Sequence, residues 1–253
     1  MNGISRLAYG TASIHRVFSR SQREKLIYTA IDCGINHFDS SPFYGDGISE
    51  YTLGYATRKF RNNISIASKI GITPKQGITN NSLIVWQRRL ASKLLPNYKL
   101  DESHWKVDQL EKSFFSSLKR LQTDYIDFLF LHEPELALMD MEKISEFLEK
   151  IRKQGYIIQY GVSGEGKKLL PFTERHKNLS QIIQTRDSLD KQEASQFFSI
   201  QDSIIYTYGY FSNNSSSIKL PTSDILKKAL ERNLHGKVIF STNKISRLKE
   251  IIS

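Results

Sequence analysis

The sequence predicts an α/β fold: a (β/α)8 TIM barrel that fills a single domain over residues 1–253. Three observations carry this. Short apolar runs alternate with amphipathic stretches eight times, the pattern of strands joined by helical crossovers into a parallel sheet. The 253 residues match the ~250 that such a barrel takes as one domain. After the first strand, Gly10-Thr11-Ala12 does not read G-x-G-x-x-G, which weighs against an open doubly wound sheet.

The elements follow in order. Residues 4–12 read as the first strand. Ser21 caps a helix over 22–33, with Glu24 completing a capping box and Gly34 ending it. A strand over 35–39 leads into the loop Asp39-Ser40-Ser41-Pro42-Phe43-Tyr44-Gly45, and Ser49 caps a helix through about residue 60. Residues 64–69 alternate as a strand and end at Lys69. Residues 71–106 form a long insertion, turn-rich at first and with a short helix over 85–95. Loops this long within a compact domain are functional or disordered, and departure from the strand bearing Lys69 makes this one a cover for the substrate. An amphipathic helix over 107–121 shows Leu110, Phe114, Leu118 and Leu121 at helical spacing. The run 125–131 is nearly all apolar, as in a strand covered on both faces, and stops at His132. A helix over 141–154, a strand over 156–162 ending at Ser163, a helix over 167–177 and a strand over 181–184 come next. The last third predicts a helix over 189–198, a strand over 203–207, a polar loop over 213–217, a helix over 221–233, a strand over 236–240 and a closing helix.

Composition excludes several classes. No run approaches the ~20 apolar residues of a membrane span, and residues 1–10 lack the basic and apolar regions of a leader. Cys33, the only cysteine, makes no internal disulfide, which suits a reducing compartment. A cytoplasmic protein without membrane attachment is the expectation. The net charge of +10 is scattered in pairs such as Arg88-Arg89 and Lys227-Lys228 and accompanies no recognition helix or Cys/His finger. It fits an anionic small ligand better than nucleic acid.

Catalytic groups of such a barrel project from the C-terminal ends of the strands. Asp39, Tyr44, Lys69 and His132 fall at that edge on three neighbouring strands. Each alone reads as a turn or edge residue; four on one rim read as a site. A tyrosine hydroxyl, with a reference pKa of ~10, exchanges protons poorly at neutral pH. A lysine ammonium beside it favours the phenolate, a carboxylate holds that lysine charged, and a histidine orients a carbonyl oxygen. The set contains no Cys cluster or His-x-x-His spacing, so no metal is expected. Ser163 lacks evident partners for hydrolase chemistry. A Schiff-base aldolase centred on Lys69 leaves the Asp39–Tyr44 spacing unexplained.

These residues resemble the aldo-keto reductase family. Asp39-Ser40-Ser41-Pro42-Phe43-Tyr44-Gly45 is similar to Asp-Thr-Ala-x-x-Tyr-Gly, and Gly47-Ile48-Ser49-Glu50 with Leu53-Gly54 to Gly-x-Ser-Glu-x-x-Leu-Gly. Ala67-Ser68-Lys69 resembles the family's lysine context. Ser113 through Leu121, Asp124-Tyr125-Ile126-Asp127 and Leu131-His132 resemble the long signature that ends in its histidine. The resemblance implies reduction of an aldehyde or ketone, sugar-derived carbonyls among the candidates, by NADPH rather than NADH. It makes Tyr44 the general acid, Lys69 its tuner, Asp39 the lysine's partner and His132 the group that orients the carbonyl. It implies cofactor contacts from Gly10, Thr11, Asp39, Ser163 and Gln184, stacking by Tyr206, and an adenosine-end site of Thr242, Lys244, Arg247 and Glu250. Departures accompany it: Gly164 replaces the usual Asn, and Thr207-Tyr208-Gly209-Tyr210-Phe211 lacks Ser-Pro-Leu. The chain also starts close to the first strand and ends in the last helix. An NADPH-binding barrel serving as a sensor or partner subunit is the alternative these departures leave open.

Overall fold

A computed structural model describes residues 5–200, 203–211 and 220–252. Eight parallel strands close into a barrel in the order β1-β10-β9-β8-β7-β6-β3-β2. They are β1 (Leu7–Gly10), β2 (His37–Asp39), β3 (Ser65–Ile70), β6 (Ile126–His132), β7 (Ile157–Gly164), β8 (Ile182–Arg186), β9 (Ile204–Tyr208) and β10 (Lys237–Phe240). Around them lie α1 (Arg20–Asp32), α2 (Ile48–Thr57), α4 (Val107–Leu121), α5 (Met141–Lys153), α6 (Gly166–Arg175), α7 (Thr222–Arg232) and α8 (Ile245–Ile252). The larger apolar cluster fills the space between strands and helices. A smaller one, built on Ala8, Ala67, Phe128, Phe130, Ile182, Tyr206 and Ile239, plugs the barrel interior. Side chains two apart on a strand share a face, so this interior layer dictates which residues look into the barrel mouth one step above it.

The insertion between β3 and α4 is structured. Strands β4 (Ile72–Pro74) and β5 (Asp101–Ser103) pair antiparallel and carry α3 (Ser82–Leu94). Asn81 caps α3 by accepting from the Leu83 N–H at 2.9 Å. Trp105 lies so close to Gly71, at φ +107°, that a Cβ there would fall 2.4 Å from the indole ring.

The Gly47–Gly54 stretch turns out to serve the fold. Gly47, at φ +97°, starts α2, and the Ser49 hydroxyl donates to the Thr11 carbonyl at 2.9 Å instead of capping the helix. Glu50 is fully buried, accepting from Ser68 Oγ at 2.6 Å and Arg120 Nε at 2.7 Å, and so ties α2 to β3 and α4. Gly54 lets α2 cross α4: a Cβ there would meet the Leu121 carbonyl carbon at 2.4 Å.

Other expectations need correction. β1 ends at Gly10, and residues 11–16 form a 3-10 turn whose Ser13 Oγ lies 2.7 Å from Ser241 Oγ. Helix α1 starts two residues earlier than expected, because Ser19 is the extended residue at its N-terminus; Glu24 accepts from Arg20 Nε at 2.6 Å and forms no capping box. The helix expected over 189–198 is only a 3-10 turn at Ser195–Phe197. Asp187 Oδ1 accepts from the Ala194 N–H and Ser188 Oγ from the Lys191 N–H, and such side chains compete with helix formation. The polar loop expected over 213–217 lies outside the described residues. Among the described residues no helix is long and apolar enough to cross a membrane, and no cluster of three or more His, Cys, Asp or Glu is grouped to hold a metal.

Candidate active site

The inward-facing rule builds the site. Asp39 stands two residues beyond the buried His37, Lys69 beyond Ala67, His132 beyond Phe130, Gln184 beyond Ile182 and Tyr208 beyond Tyr206, each just above the interior apolar layer. Tyr44 comes from the loop after β2. Gly45, Asp46 and Gly47 all take positive φ, folding that loop back tightly; a Cβ on Gly45 would meet His15 Cβ at 2.2 Å. Thr11 Oγ1 lies 3.0 Å from both the Asp39 carbonyl and Ser40 Oγ and fixes the start of the same loop.

Lys69 is 1% exposed, and its ammonium donates to both Asp39 oxygens at 2.8 Å and to the Ser40 carbonyl at 2.9 Å. Gln184 Nε2 donates to Asp39 Oδ1 at 2.7 Å, and Ser163 Oγ donates to Gln184 Oε1 at 2.5 Å. The Lys69 Nζ lies 4.7 Å from the centroid of the Tyr44 ring, whose edge meets His132 with centroids 6.4 Å apart. Burial, then the Asp39 and Glu133 carboxylates, hold the Tyr44 phenol well above its ordinary pKa. Burial and these carboxylates outweigh the expected lowering by Lys69, whose ammonium is paired with Asp39 and faces the ring. Tyr44 is therefore a protonated phenol at neutral pH. Burial, then the Lys69 charge, push His132 down to about 3, so its imidazole is neutral. Its Nδ1 is buried with no hydrogen-bond partner among the described residues.

A cavity of about 460 Å³ runs from this cluster along the barrel rim to the start of α8. Of the expected residues, Gly10, Asp39, Tyr44, His132, Ser163, Gln184, Thr242, Lys244 and Arg247 line it. A family model for the aldo/keto reductase family matches residues 6–179. The chain belongs to the aldo/keto reductase family. It is 29% identical over 194 residues to D-threo-aldose 1-dehydrogenase of a Pseudomonas species, covering 71% of this chain and 56% of that protein. It is 32% identical over 165 residues to aldo-keto reductase YhdN of Bacillus subtilis, covering 63% of this chain and 43% of the relative. The chain thus spans about half the length of the curated relatives it matches. The glycerol dehydrogenase AKR11B4 of Gluconobacter oxydans superposes with a TM-score of 0.74 at 18% identity, covering 100% of this chain and 87% of that one. That likeness speaks for the fold alone.

Four expected residues of this aldo-keto reductase lie elsewhere. Lys69 and Thr11 sit behind the cavity wall, acting through Asp39 and Ser40. Glu250 is exposed on α8 beyond the cavity lining. Tyr206 is wholly buried in the interior layer, packed edge-on against His37, Phe128 and Phe130. The β9 aromatic that lines the cavity is Tyr208, one inward position higher, with Phe211 beyond it. Period-two counting from a correctly placed barrel layer would have found Tyr208. Arg16 and Glu133 carried no such signal. Arg16 reaches the cavity from the 3-10 turn after β1, while Glu133, at φ +52°, puts its carboxylate 3.0 Å from where a Cβ of Gly164 would lie. The Glu133 side chain thus fills the space beside Gly164.

The cavity's chemistry fits a nicotinamide dinucleotide. At the barrel end the linked Ser163, Gln184 and Asp39 offer amide-matching donors and acceptors, beside the Tyr208 ring. At the other end Lys244 and Arg247 contribute cations near the first turn of α8, where backbone N–H groups and the helix dipole favour anions. Thr242 Oγ1 accepts from the Lys244 N–H at 3.2 Å, fixing the turn that precedes α8.

Proposed function

We propose that this chain is an NAD(P)H-dependent oxidoreductase that reduces an aldehyde or ketone to an alcohol, with Tyr44 as general acid. The observation that carries the reading is the meeting of the Tyr44 phenol and the His132 ring on the cavity wall, in front of the buried Lys69–Asp39 pair. The cofactor, when bound, supplies a hydride to the carbonyl carbon. The protein's own part is to protonate the oxygen. A phenol held above its ordinary pKa carries its proton at neutral pH, and the positive charge of Lys69 behind the ring lowers the cost of giving it up. Neutral His132 orients the carbonyl oxygen through a ring N–H. Lys69, fixed by three hydrogen bonds, stabilises the phenolate as the proton leaves, and Asp39 links that lysine to Gln184 and Ser163, which hold the carboxamide. Thr242, Lys244 and Arg247 favour NADPH, because a 2′-phosphate gains charge-assisted bonds there. Two relatives support a sugar-derived carbonyl substrate: D-threo-aldose 1-dehydrogenase, and L-galactose dehydrogenase of Arabidopsis thaliana, to which the chain is 27% identical over 170 residues.

The test is NADPH oxidation by the purified chain with a panel of aldehydes, ketoses and ketones, beside fluorescence titration of cofactor binding. Tyr44→Phe is expected to lower turnover at least ~100-fold, the scale of general acid catalysis, while cofactor affinity stays within about twofold. Unchanged turnover in Tyr44→Phe removes Tyr44 from this role. Tight NADPH binding without reduction of any carbonyl marks a sensor instead of an enzyme.

A further inference from the structure

A second cavity, of about 740 Å³, opens on the other side of Tyr44. Its walls come from the 3-10 turn after β1, the loop after β2 and the insertion helix α3. They include three cations (Arg16, Arg89, Lys93) and, besides Tyr44, the aromatics Phe18, Phe43 and Trp86. No aspartate or glutamate lines it. Tyr44 and Arg16 border both cavities, so the two meet at the phenol.

We infer that this second cavity binds the substrate and selects a carbonyl compound bearing an anionic group, a carboxylate or a phosphate. The inference rests on the reductase reading above and adds the substrate's charge to it. Three features carry it. The positive charges are only partly compensated: Asp46, the carboxylate beneath them, pairs with Arg88 at 2.9 Å and reaches Arg89 only at 3.6 Å. The Arg89 Nε is buried and has no hydrogen-bond partner among the described residues. A buried guanidinium donor without an acceptor is costly; the side chain is 28% exposed, so the rest of the guanidinium is open to an anion in the cleft. The cations also feel one another. Burial pushes His15 down to about 4, and the Arg89 and Arg16 charges follow as causes. Arg89 is itself pushed down, chiefly by burial, with Arg16 adding to it against the pull of Asp46 and Asp101. Repulsion of this kind is relieved by a bound anion.

Geometry gives the rest of the ligand. The Arg89 guanidinium lies over the Phe43 ring, 5.4 Å from its centroid, which presets the fork instead of leaving it free in solvent. Trp86 and Phe18 are 57% and 63% exposed, large apolar surface beside a cleft that opens to the reacting phenol. An apolar or sugar body between the carbonyl and the anion would cover them. The insertion is thus a specificity element: α3 brings Arg89, Lys93 and Trp86, and the 2.9 Å bond from Arg88 to Asp46 ties it to the loop that carries Tyr44.

The test compares matched aldehydes. 4-Carboxybenzaldehyde is set against the neutral 4-formylbenzamide, succinic semialdehyde against butanal, and glyceraldehyde 3-phosphate against glyceraldehyde. The last two pairs tell a carboxylate preference from a phosphate preference. For at least one pair the anionic member is expected to show a KM ~10-fold or more lower, one charge-assisted contact's worth. In Arg89→Ala/Lys93→Ala that KM should rise ~10-fold or more with kcat nearly unchanged, while the neutral member is unaffected. A readout free of turnover is quenching of Trp86 fluorescence by terephthalate, absent with terephthalamide and lost in Trp86→Phe. Equal KM values within all three pairs, or an anionic KM that the double variant leaves unchanged, overturn the inference. If no aldehyde of either kind is reduced, the reductase reading fails, and the terephthalate titration alone then decides whether the cleft binds anions.

Discussion

Replacing Lys69 by methionine removes the cation of the most buried ion pair at the barrel mouth. Lys69 and Asp39 side chains are 1% and 4% exposed, and the ammonium contributes two 2.8 Å bonds to the carboxylate and one of 2.9 Å to the Ser40 carbonyl. In Lys69→Met the carboxylate keeps the 2.7 Å bond from Gln184 but loses its counter-charge. Breaking a buried pair from one side costs ~3–5 kcal/mol, because a charge is left behind without a partner. In a chain of this length that corresponds to a fall in Tm of roughly 6–20 °C. Asp39→Asn leaves the ammonium without its carboxylate and carries a similar penalty. The double variant Asp39→Asn/Lys69→Met removes both charges. Since a neutral replacement of a buried pair is often tolerated, it should recover at least ~2 kcal/mol of the summed loss. Urea unfolding at pH 7, with midpoints and slopes compared across the four proteins, reads the coupling directly. Carbonyl reduction should stay lost in all three variants, since the charge behind Tyr44 is gone even where stability returns. Single variants that each cost under ~1 kcal/mol, or a double variant whose cost equals the sum, would refute the assignment of a tightly coupled buried pair.

Two further expectations concern the barrel interior and its rim. Tyr206→Ala should cost ~3–5 kcal/mol by emptying a fully buried aromatic site, whereas Tyr208→Ala should leave stability within ~1.5 kcal/mol and weaken NADPH binding ~10-fold; the reverse pattern in paired denaturation and titration experiments would return the stacking role to Tyr206. The wholly buried His37 is held neutral down to about 3 by burial, then by the Lys237 and Lys69 charges. Its folded pKa is depressed, so the unfolded chain binds a proton first as pH falls below ~6.5, and stability drops from there until the folded value is reached. At pH 5 this one group removes ~2 kcal/mol relative to pH 7.5, with His15 and His132 acting in the same direction. Urea unfolding that is equally or more resistant at pH 5 would contradict this.

Much of this protein was legible along the chain. Short apolar runs set between amphipathic helices imply a parallel sheet, and eight such units in ~250 residues imply that it closes into a barrel. The ends of those strands then locate Asp39, Lys69 and His132 on one rim, and the Pro- and Gly-rich loop after β2 locates Tyr44, since strand direction alone decides which end carries the site. The tertiary structure decided what local pattern cannot encode. It put Tyr206 in the core and Tyr208 at the mouth, because the height of a side chain in a barrel depends on the register of neighbouring strands. It dissolved the helix over 189–198, because Asp187 and Ser188 take up backbone N–H groups there. It turned the Gly47–Gly54 stretch from apparent capping into a crossing of α2 on α4, because only packing shows that no Cβ fits at Gly54. It also kept Tyr44 protonated, since burial and the neutralising Asp39 outweigh the nearby Lys69, and both are matters of distance and desolvation rather than of spacing in the chain.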